Sequence, residues 1–325
     1  MSDTEKTFDS KAARFFVEEQ CTSWEVAHNN FEALAKIQTR ELTVGKETVR
    51  LQYNPARIVS STAKIDEDSL QKRPCFLCSS NRPPQQAAIP FGDDYEILVN
   101  PYPILPFHLT IPTVNHTPQR IARRMGTLLQ LSHSLSEFVV FYNGPRCGAS
   151  APDHAHFQAG AEGYLPMESE EGFGKKGTLA PPICSYQSAT LRAYPFHSRP
   201  FFEIRSTEEI ESIYLFSLVL QVLQQNMPAD AEKDEEPMMN LLAWHVKGES
   251  ILRIFPRRQH RPSCYFAPDE KRFLISPGAL DMGGLVAVAR KSDFENLQSS
   301  DLETIFAEVC IQPEQLEELA QQLKS

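Results

Sequence analysis

The sequence predicts an α+β fold: a mostly antiparallel sheet flanked by helices, behind a helical N-terminal extension. Three observations carry that expectation. Apolar residues recur at helical spacing over residues 8–38, with Phe15, Phe16, Trp24, Phe31, Leu34 and Ile37 as candidates for burial. From residue 41 onward the pattern changes to short β-branched and aromatic runs broken by Gly, Asn and Pro. A pair of strand-like runs, Tyr95–Asn100 with Phe107–Pro112, is echoed by Met239–Val246 with Ser250–Arg258, which suggests a weak internal duplication.

In chain order, Glu41–Val44 and Thr48–Tyr53 read as a hairpin around Gly45 and Lys46. Glu137–Asn143 has strand composition and is stopped by Gly144 and Pro145. Before it, a helix is expected from Pro118 to about Phe138, with Ile121, Met125, Leu128, Leu129, Leu131 and Leu135 largely on one side. Residues 159–177 read as a mobile loop rich in glycine and charge, in which Lys175 and Lys176 match no phosphate-binding motif. Strands near Ser185–Leu191 and Pro200–Ile204 follow. Ser206, Thr207, Glu208 and Glu209 then look like a capping box opening a helix to about Gln225. Residues 227–237 read as an acidic exposed linker, and two helices, about 300–309 and 313–323, close the chain.

A chain of 325 residues can bury one large core or two moderate ones. Its net charge of −10 argues against non-specific nucleic-acid binding, which needs a basic footprint. The polar N-terminus lacks the apolar core of a signal peptide, and no apolar run reaches the roughly 18 residues of a membrane span. Seven unevenly spread cysteines do not make a disulfide framework, so the expected location is the cytoplasm, with no membrane partner.

The chemistry concentrates in Gly148-Ala149-Ser150-Ala151-Pro152-Asp153-His154-Ala155-His156-Phe157-Gln158. On an extended backbone, His154, His156 and Gln158 share one face. A neutral imidazole attacks phosphorus well, and a nearby amide can hold a phosphoryl oxygen, so His-x-His-x-Gln suits a covalent nucleotidyl-histidine. The small-residue loop before it can bring N–H groups to an anion. Cys75 and Cys78, flanked by prolines, form a turn whose chemistry is metal or redox; those prolines argue against the redox reading. Reduced, metal-free thiols are the competing reading. His133 reads as a surface or packing residue; His108 reads first as a packing residue of its strand too, with a cavity-lining or substitute-ligand role as the lesser alternative. Arg253, Arg257, Arg258 and Arg261 form the densest basic cluster, suited to sugar phosphate or inorganic phosphate, with a solvated strand edge as the equal alternative.

The motif resembles the active-site run of the histidine-triad superfamily, in the branch of galactose-1-phosphate uridylyltransferase, diadenosine tetraphosphate phosphorylase and GDP-hexose phosphorylases. That run is typically Gly-Ala/Cys-Ser-x-Pro-His-x-His-x-Gln; here Asp153 is one residue more than the pattern expects. The resemblance extends from about residue 41 to the end. It implies two histidine-triad-like halves sharing one sheet: 41–178 with the motif and 179–325 without it, behind the extension 1–40. It implies His156 and Gln158 as catalytic residues. Arg57, Ser150, Asn143 and Arg253 are the candidates for substrate binding, Arg57 having a solvated turn as its equal alternative. By match to the uridylyltransferases, Cys75, Cys78, His116 and His154 would hold a structural zinc, or iron in the same ligands.

The implied activity is nucleotidyl transfer from a nucleotide-sugar. The cysteine pair, generally missing from GDP-hexose phosphorylases, sides with the uridylyltransferases; residues 276–290 and the terminal helices side with the phosphorylases. The reading adopted is an NDP-hexose phosphorylase using inorganic phosphate, with a guanine nucleotide as the weaker guess and a homodimer allowed. A uridylyltransferase acting on a sugar phosphate, a dinucleoside polyphosphate phosphorylase and a non-catalytic nucleotide-binding module are the alternatives.

Overall fold

The extension folds as α1 (Ser10–Ser23) and α2 (Glu25–Leu34). Asp9 caps α1 by accepting the Ala12 N–H at 2.8 Å. Phe16 and Trp24 are buried as expected, whereas Phe15 is 58% exposed, because α1 lays only one stripe against the sheet. The computed structural model describes residues 8–58, 67–168, 179–227, 236–268 and 271–324. Residues 169–177 of the expected mobile loop and 228–235 of the expected linker lie outside them.

β1 (Gln38–Val44) and β2 (Glu47–Tyr53) form the expected hairpin, with Gly45 taking a positive φ of 61° in the turn. After the short helix α3 (Glu67–Lys72) come β3 (Ala88–Phe91), β4 (Tyr95–Val99), β5 (Leu109–Pro112), α4 (Met125–Ser134), β6 (Phe138–Asn143) and β7 (His156–Ala161). The chain then repeats the pattern: β8 (Cys184–Tyr186), β9 (Ala189–Tyr194), β10 (Phe201–Ser206), α5 (Glu209–Asn226), β11 (Met239–Val246) and β12 (Glu249–Pro256). It ends with α6 (Ala279–Met282), β13 (Leu285–Val288), α7 (Lys291–Asn296), α8 (Ser299–Val309) and α9 (Pro313–Gln322).

The ten strands β3 to β12 make one sheet in the order β3-β4-β5-β7-β6-β11-β12-β10-β9-β8, every pair antiparallel. Read from either edge toward the centre, the two halves have the same order, and each has its helix between the third and fourth strand. The duplication is therefore β3–β7 against β8–β12, rather than the two hairpins compared on sequence. β12 stands where β7 stands, and on the face where β7 has His156 and Gln158 it carries Ile251, Arg253 and Phe255.

One face of the sheet packs on α1, α4, α5 and α9, with Phe16, Leu128, Leu215 and Leu316 against Val140, Phe157, Leu241 and Ile254. The other face packs on a second sheet, in which β13 joins β2 in parallel, together with α6 and α8. Phe141, Leu242 and Phe255 face Leu51, Leu280 and Phe306 there. His156 and Gln158 belong to this second face. No helix among the described residues is long and apolar enough to cross a membrane.

Three local expectations change. The helix expected from Pro118 begins only at Met125, because residues 119–121 are bound elsewhere: the Gln119 N–H donates to Pro152 O and the Ile121 N–H to Glu236. Ser185–Leu191 is a hairpin, β8 turning into β9 at Gln187, which has φ 52°. Ser206 does not cap α5; it is the last residue of β10, and its hydroxyl bonds to the Glu208 backbone and Glu211.

Glu236, expected on an exposed linker, is 8% exposed beneath the sheet. Its carboxylate accepts from the Tyr142 hydroxyl and, at 2.8 Å, from the Ile121 N–H. Burial pushes its carboxyl up to about 7, against those two hydrogen bonds and the Arg120 and Arg124 charges. A raised carboxyl keeps its proton in the folded protein after the unfolded chain has lost its own. Its contribution is therefore full below the ordinary value of 4.5 and is lost as pH rises through about 7. Urea unfolding of Glu236→Gln across that window is expected to show a shallower decline of stability with rising pH than the wild type; an identical slope would contradict this.

Candidate active site

The second face carries a cavity of about 1260 Å³. Phe141 and Asn143 of β6, His156 and Gln158 of β7 and Thr110 of β5 line it, with Gly148 and Ser150 from the motif loop. Opposite stand Arg57 and the segment Ser276–Asp281. Trp24 and Val26, at the α1–α2 junction, contribute a further wall with Phe76 and Tyr102. The N-terminal extension thus helps to build the cavity, which nothing in its amphipathic pattern indicated. Val26, Phe76 and Tyr102 are each 39–45% exposed, an apolar surface open to a planar ligand.

His156 is 5% exposed at the start of β7. Its Nδ1–H donates to its own motif's carbonyl, His154 O, at 2.8 Å, which leaves Nε2 as the bare nitrogen. Burial pushes this imidazole down to about 4. Gln158 is oriented in turn by His108, which lies outside the cavity lining. The Ile104 N–H donates to His108 Nδ1 at 3.1 Å, so Nε2 carries the proton and donates to Gln158 Oε1 at 3.0 Å. The Gln158 NH₂ is thereby left as the donor end in the cavity wall. His108 is fully buried and pushed down to about 3, first by burial and then by the Arg57 charge, consistent with its single proton.

His154 does not share the face of His156 and Gln158, because β7 begins only at His156. It faces the cysteine turn instead. Cys75, Cys78, His116 and His154 bring their donor atoms within 4.8 Å of one another. Cys75 Sγ and His154 Nδ1 are 3.3 Å apart, Cys78 Sγ and His116 Nδ1 3.2 Å, and Cys78 Sγ and His154 Nδ1 3.5 Å. Tetrahedral zinc with thiolate and imidazole ligands needs donor separations of about 3.3–3.8 Å; these three contacts lie at or near that range and the remaining ones within 4.8 Å, so the residues are compatible with such a site. The outer nitrogens are also held: His154 Nε2–H donates to Thr113 O at 2.7 Å, and His116 Nε2 lies 3.4 Å from Asp153 Oδ2. Asp153, the extra residue of the motif, also pairs with Arg73 at 3.2 Å. Asn81 and Arg82 close the turn by donating to Cys75 O and Leu77 O.

The substrate-binding candidates divide. Arg57 lies in the cavity wall, with the Asp281 charge acting on it. Ser150 lines the cavity, its carbonyl accepting from Arg73 at 3.0 Å. Asn143 also lines it, but its Oδ1 accepts from the Ala279 N–H and from Asn240. Gly148 and Gly278 meet back to back; a Cβ on Gly148, at φ 95°, would stand 2.8 Å from Gly278 Cα. Arg253 is not in the lining. It is 4% exposed, paired with Glu203 at 2.9 Å, bonded to Met167 O and stacked near Trp244. Arg257 is also buried, donating to the carbonyls of Val309, Pro277, Gln259 and His260. The basic cluster is thus split: Arg253 and Arg257 are internal and outside the cavity lining, whereas Arg258 is exposed and Arg261 half-buried.

Residues 16–161 match the family described as Domain of unknown function (DUF4922). No curated protein matches the chain in sequence. Among solved structures, yeast Ap4A phosphorylase Apa2 superposes with a TM-score of 0.55 at 17% identity, over 89% of this chain and 97% of that one. Its complex with AMP gives 0.52 at 17% identity, over 90% and 97%. Its complex with Ap4A gives 0.51 at 16%, over 89% and 97%. The chain has the Ap4A phosphorylase fold. The expected α+β fold, a mostly antiparallel sheet flanked by helices, is therefore the one observed.

Two outcomes follow. Purified protein is expected to carry about one zinc per chain by elemental analysis, by the logic of a closed Cys₂His₂ site, with Cys75→Ser and His116→Ala reducing it severalfold; a metal-free wild type would contradict this, and iron would replace the assignment of the element. Arg253→Ala should cost about 3 kcal/mol in urea unfolding, because it strands the buried Glu203 with Arg205 alone. A neutral effect would return Arg253 to the surface.

Proposed function

We propose that the protein transfers a nucleotidyl group through a covalent nucleotidyl-histidine on His156. One observation carries this: the Nδ1–H of His156 is anchored on His154 O, so Nε2 is the nitrogen left to react, beside an amide whose NH₂ end is the free one. His156 Nε2 attacks the α-phosphorus, and the bond from that phosphorus to the bridging oxygen breaks. The oxygen leaves with hexose 1-phosphate from a nucleoside diphosphate-hexose. The positive charge that develops on the imidazole is stabilised by the Nδ1–H···O=C bond. Gln158 donates to a non-bridging phosphoryl oxygen, and Arg57 answers the phosphate charge from the opposite wall. Inorganic phosphate then attacks the same phosphorus, releasing the nucleoside diphosphate and restoring Nε2.

Zinc on Cys75, Cys78, His116 and His154 would supply a rigid clamp, fixing the carbonyl that aims His156. Trp24, Val26, Phe76 and Tyr102 suit the base, by stacking and apolar contact. A second reading takes a dinucleoside tetraphosphate as donor, with the nucleotide end as leaving group. The likeness to a phosphorylase crystallised with Ap4A and the size of the cavity favour it. Both readings use the same histidine.

Intact-protein mass after brief exposure to each donor, without acceptor, tests the proposal. A gain equal to one nucleoside monophosphate is expected in the wild type and none in His156→Ala; the donor that labels identifies the base, and Ap4A labelling would favour the second reading. Absence of an adduct from every donor, under quenching fast enough to exclude hydrolysis, would leave a nucleotide-binding module.

A further inference from the structure

β6 and β7 stop pairing two residues short of the reacting histidine. Their ladder sets Phe138 opposite Ala161 and Phe141 opposite Gln158, a register that continued would set Asn143 opposite His156. The carboxamide of Gln119 occupies that rung instead. The His156 N–H donates to Gln119 Oε1 at 2.7 Å, and Gln119 Nε2 donates to Asn143 O at 3.0 Å and to His156 O at 2.9 Å. On the other side of β7 the bond to the β5 side comes from Ala155, whose carbonyl accepts from the Thr113 N–H, so the N–H and C=O of His156 both turn to Gln119.

We propose that Gln119 is a positioning residue: it holds β6 and β7 one amide apart at His156 and thereby sets where Nε2 stands. The inference rests on the nucleotidyl-histidine reading and adds to it the residue that shapes the nucleophile's backbone. Gln119 is itself fixed, fully buried, with its N–H on Pro152 O and the Ile121 N–H two residues on held by Glu236. Without the inserted amide, the shortest way to satisfy the His156 N–H is for the strands to close onto Asn143 O. That closure would rotate His156 toward β6 and pull on Asn143, whose side chain holds the Ala279 N–H.

A residue that only satisfied buried groups would affect folding and not the rate of the folded enzyme. Two variants separate these cases: Gln119→Met keeps the length without the hydrogen bonds, and Gln119→Asn keeps an amide one methylene too short to span both strands. Single-turnover adduct formation at saturating donor is expected to slow about 100-fold in both, the scale of an ångström's misplacement of a reacting group. The affinity for the nucleoside monophosphate should change by less than about threefold, so the loss falls on the rate and not on binding. The adduct amplitude of the soluble, folded fraction should be retained. A wild-type rate in either variant, or a loss of amplitude at an unchanged rate, overturns the inference.

Carbethoxylation of His156 by diethyl pyrocarbonate, followed by peptide mass, gives a readout independent of turnover. It is expected to change severalfold in the variants. If the wild type forms no adduct, the functional reading fails by itself, and the modification rate decides alone: unchanged labelling in Gln119→Asn would sink the positioning role.

Discussion

The hydrogen bond from His156 Nδ1 to the carbonyl of His154 organises the site. An imidazole can present only one lone pair at a time when neutral, and this bond decides which. The carbonyl that accepts it belongs to a residue whose own ring turns the other way, into the Cys75, Cys78 and His116 cluster. One dipeptide step therefore joins a cluster that could hold a metal to the histidine proposed as nucleophile. Asp153 and Thr113 hold the outer nitrogens of His116 and His154, so the anchor is braced on both sides. His108 repeats the device on Gln158, one buried ring with a defined tautomer turning an amide toward the cavity.

The duplicated sheet explains why only one half carries this machinery. At the position of β7 the second half has β12, and its inward face is given to Arg253, Phe255 and a buried ion pair with Glu203. Removing one partner of such a buried pair is costly, and Arg253 stands outside the cavity lining. The second half instead supplies the cavity's far wall through Ser276–Asp281, tied back to Asn143 by the Ala279 N–H. Both halves line the cavity, although only one carries the His156 and Gln158 to which the proposed chemistry is assigned.

Much of this was legible in the sequence because it rests on short-range pattern. Alternation gave the strands, including the β11–β12 hairpin that turns at Lys247 and Gly248. The four donor residues of the knuckle came from a resemblance in motif, and the structure gathers all four. What stayed hidden depends on contacts across the fold. Gln119 looked like the first turn of a helix, since nothing local reveals that its side chain bridges two strands. Arg253 and Arg257 looked like a surface cluster, because spacing does not distinguish a buried ion pair from a solvated edge. Trp24 read as a core residue of an accessory helix; its place in the cavity wall follows from how α1 and α2 dock. Asp153 was visible as an added residue, but its use as a brace for His116 requires the turn in three dimensions.

The most direct measurement is ¹⁵N–³¹P coupling in the trapped adduct, using protein labelled with ¹⁵N-histidine and a donor supplied without acceptor. A coupling to Nε2 of His156, with Nδ1 still protonated, is the expected result. A phosphorus bonded to Nδ1, or to any other histidine, would contradict the arrangement in which the His154 carbonyl selects the reacting nitrogen.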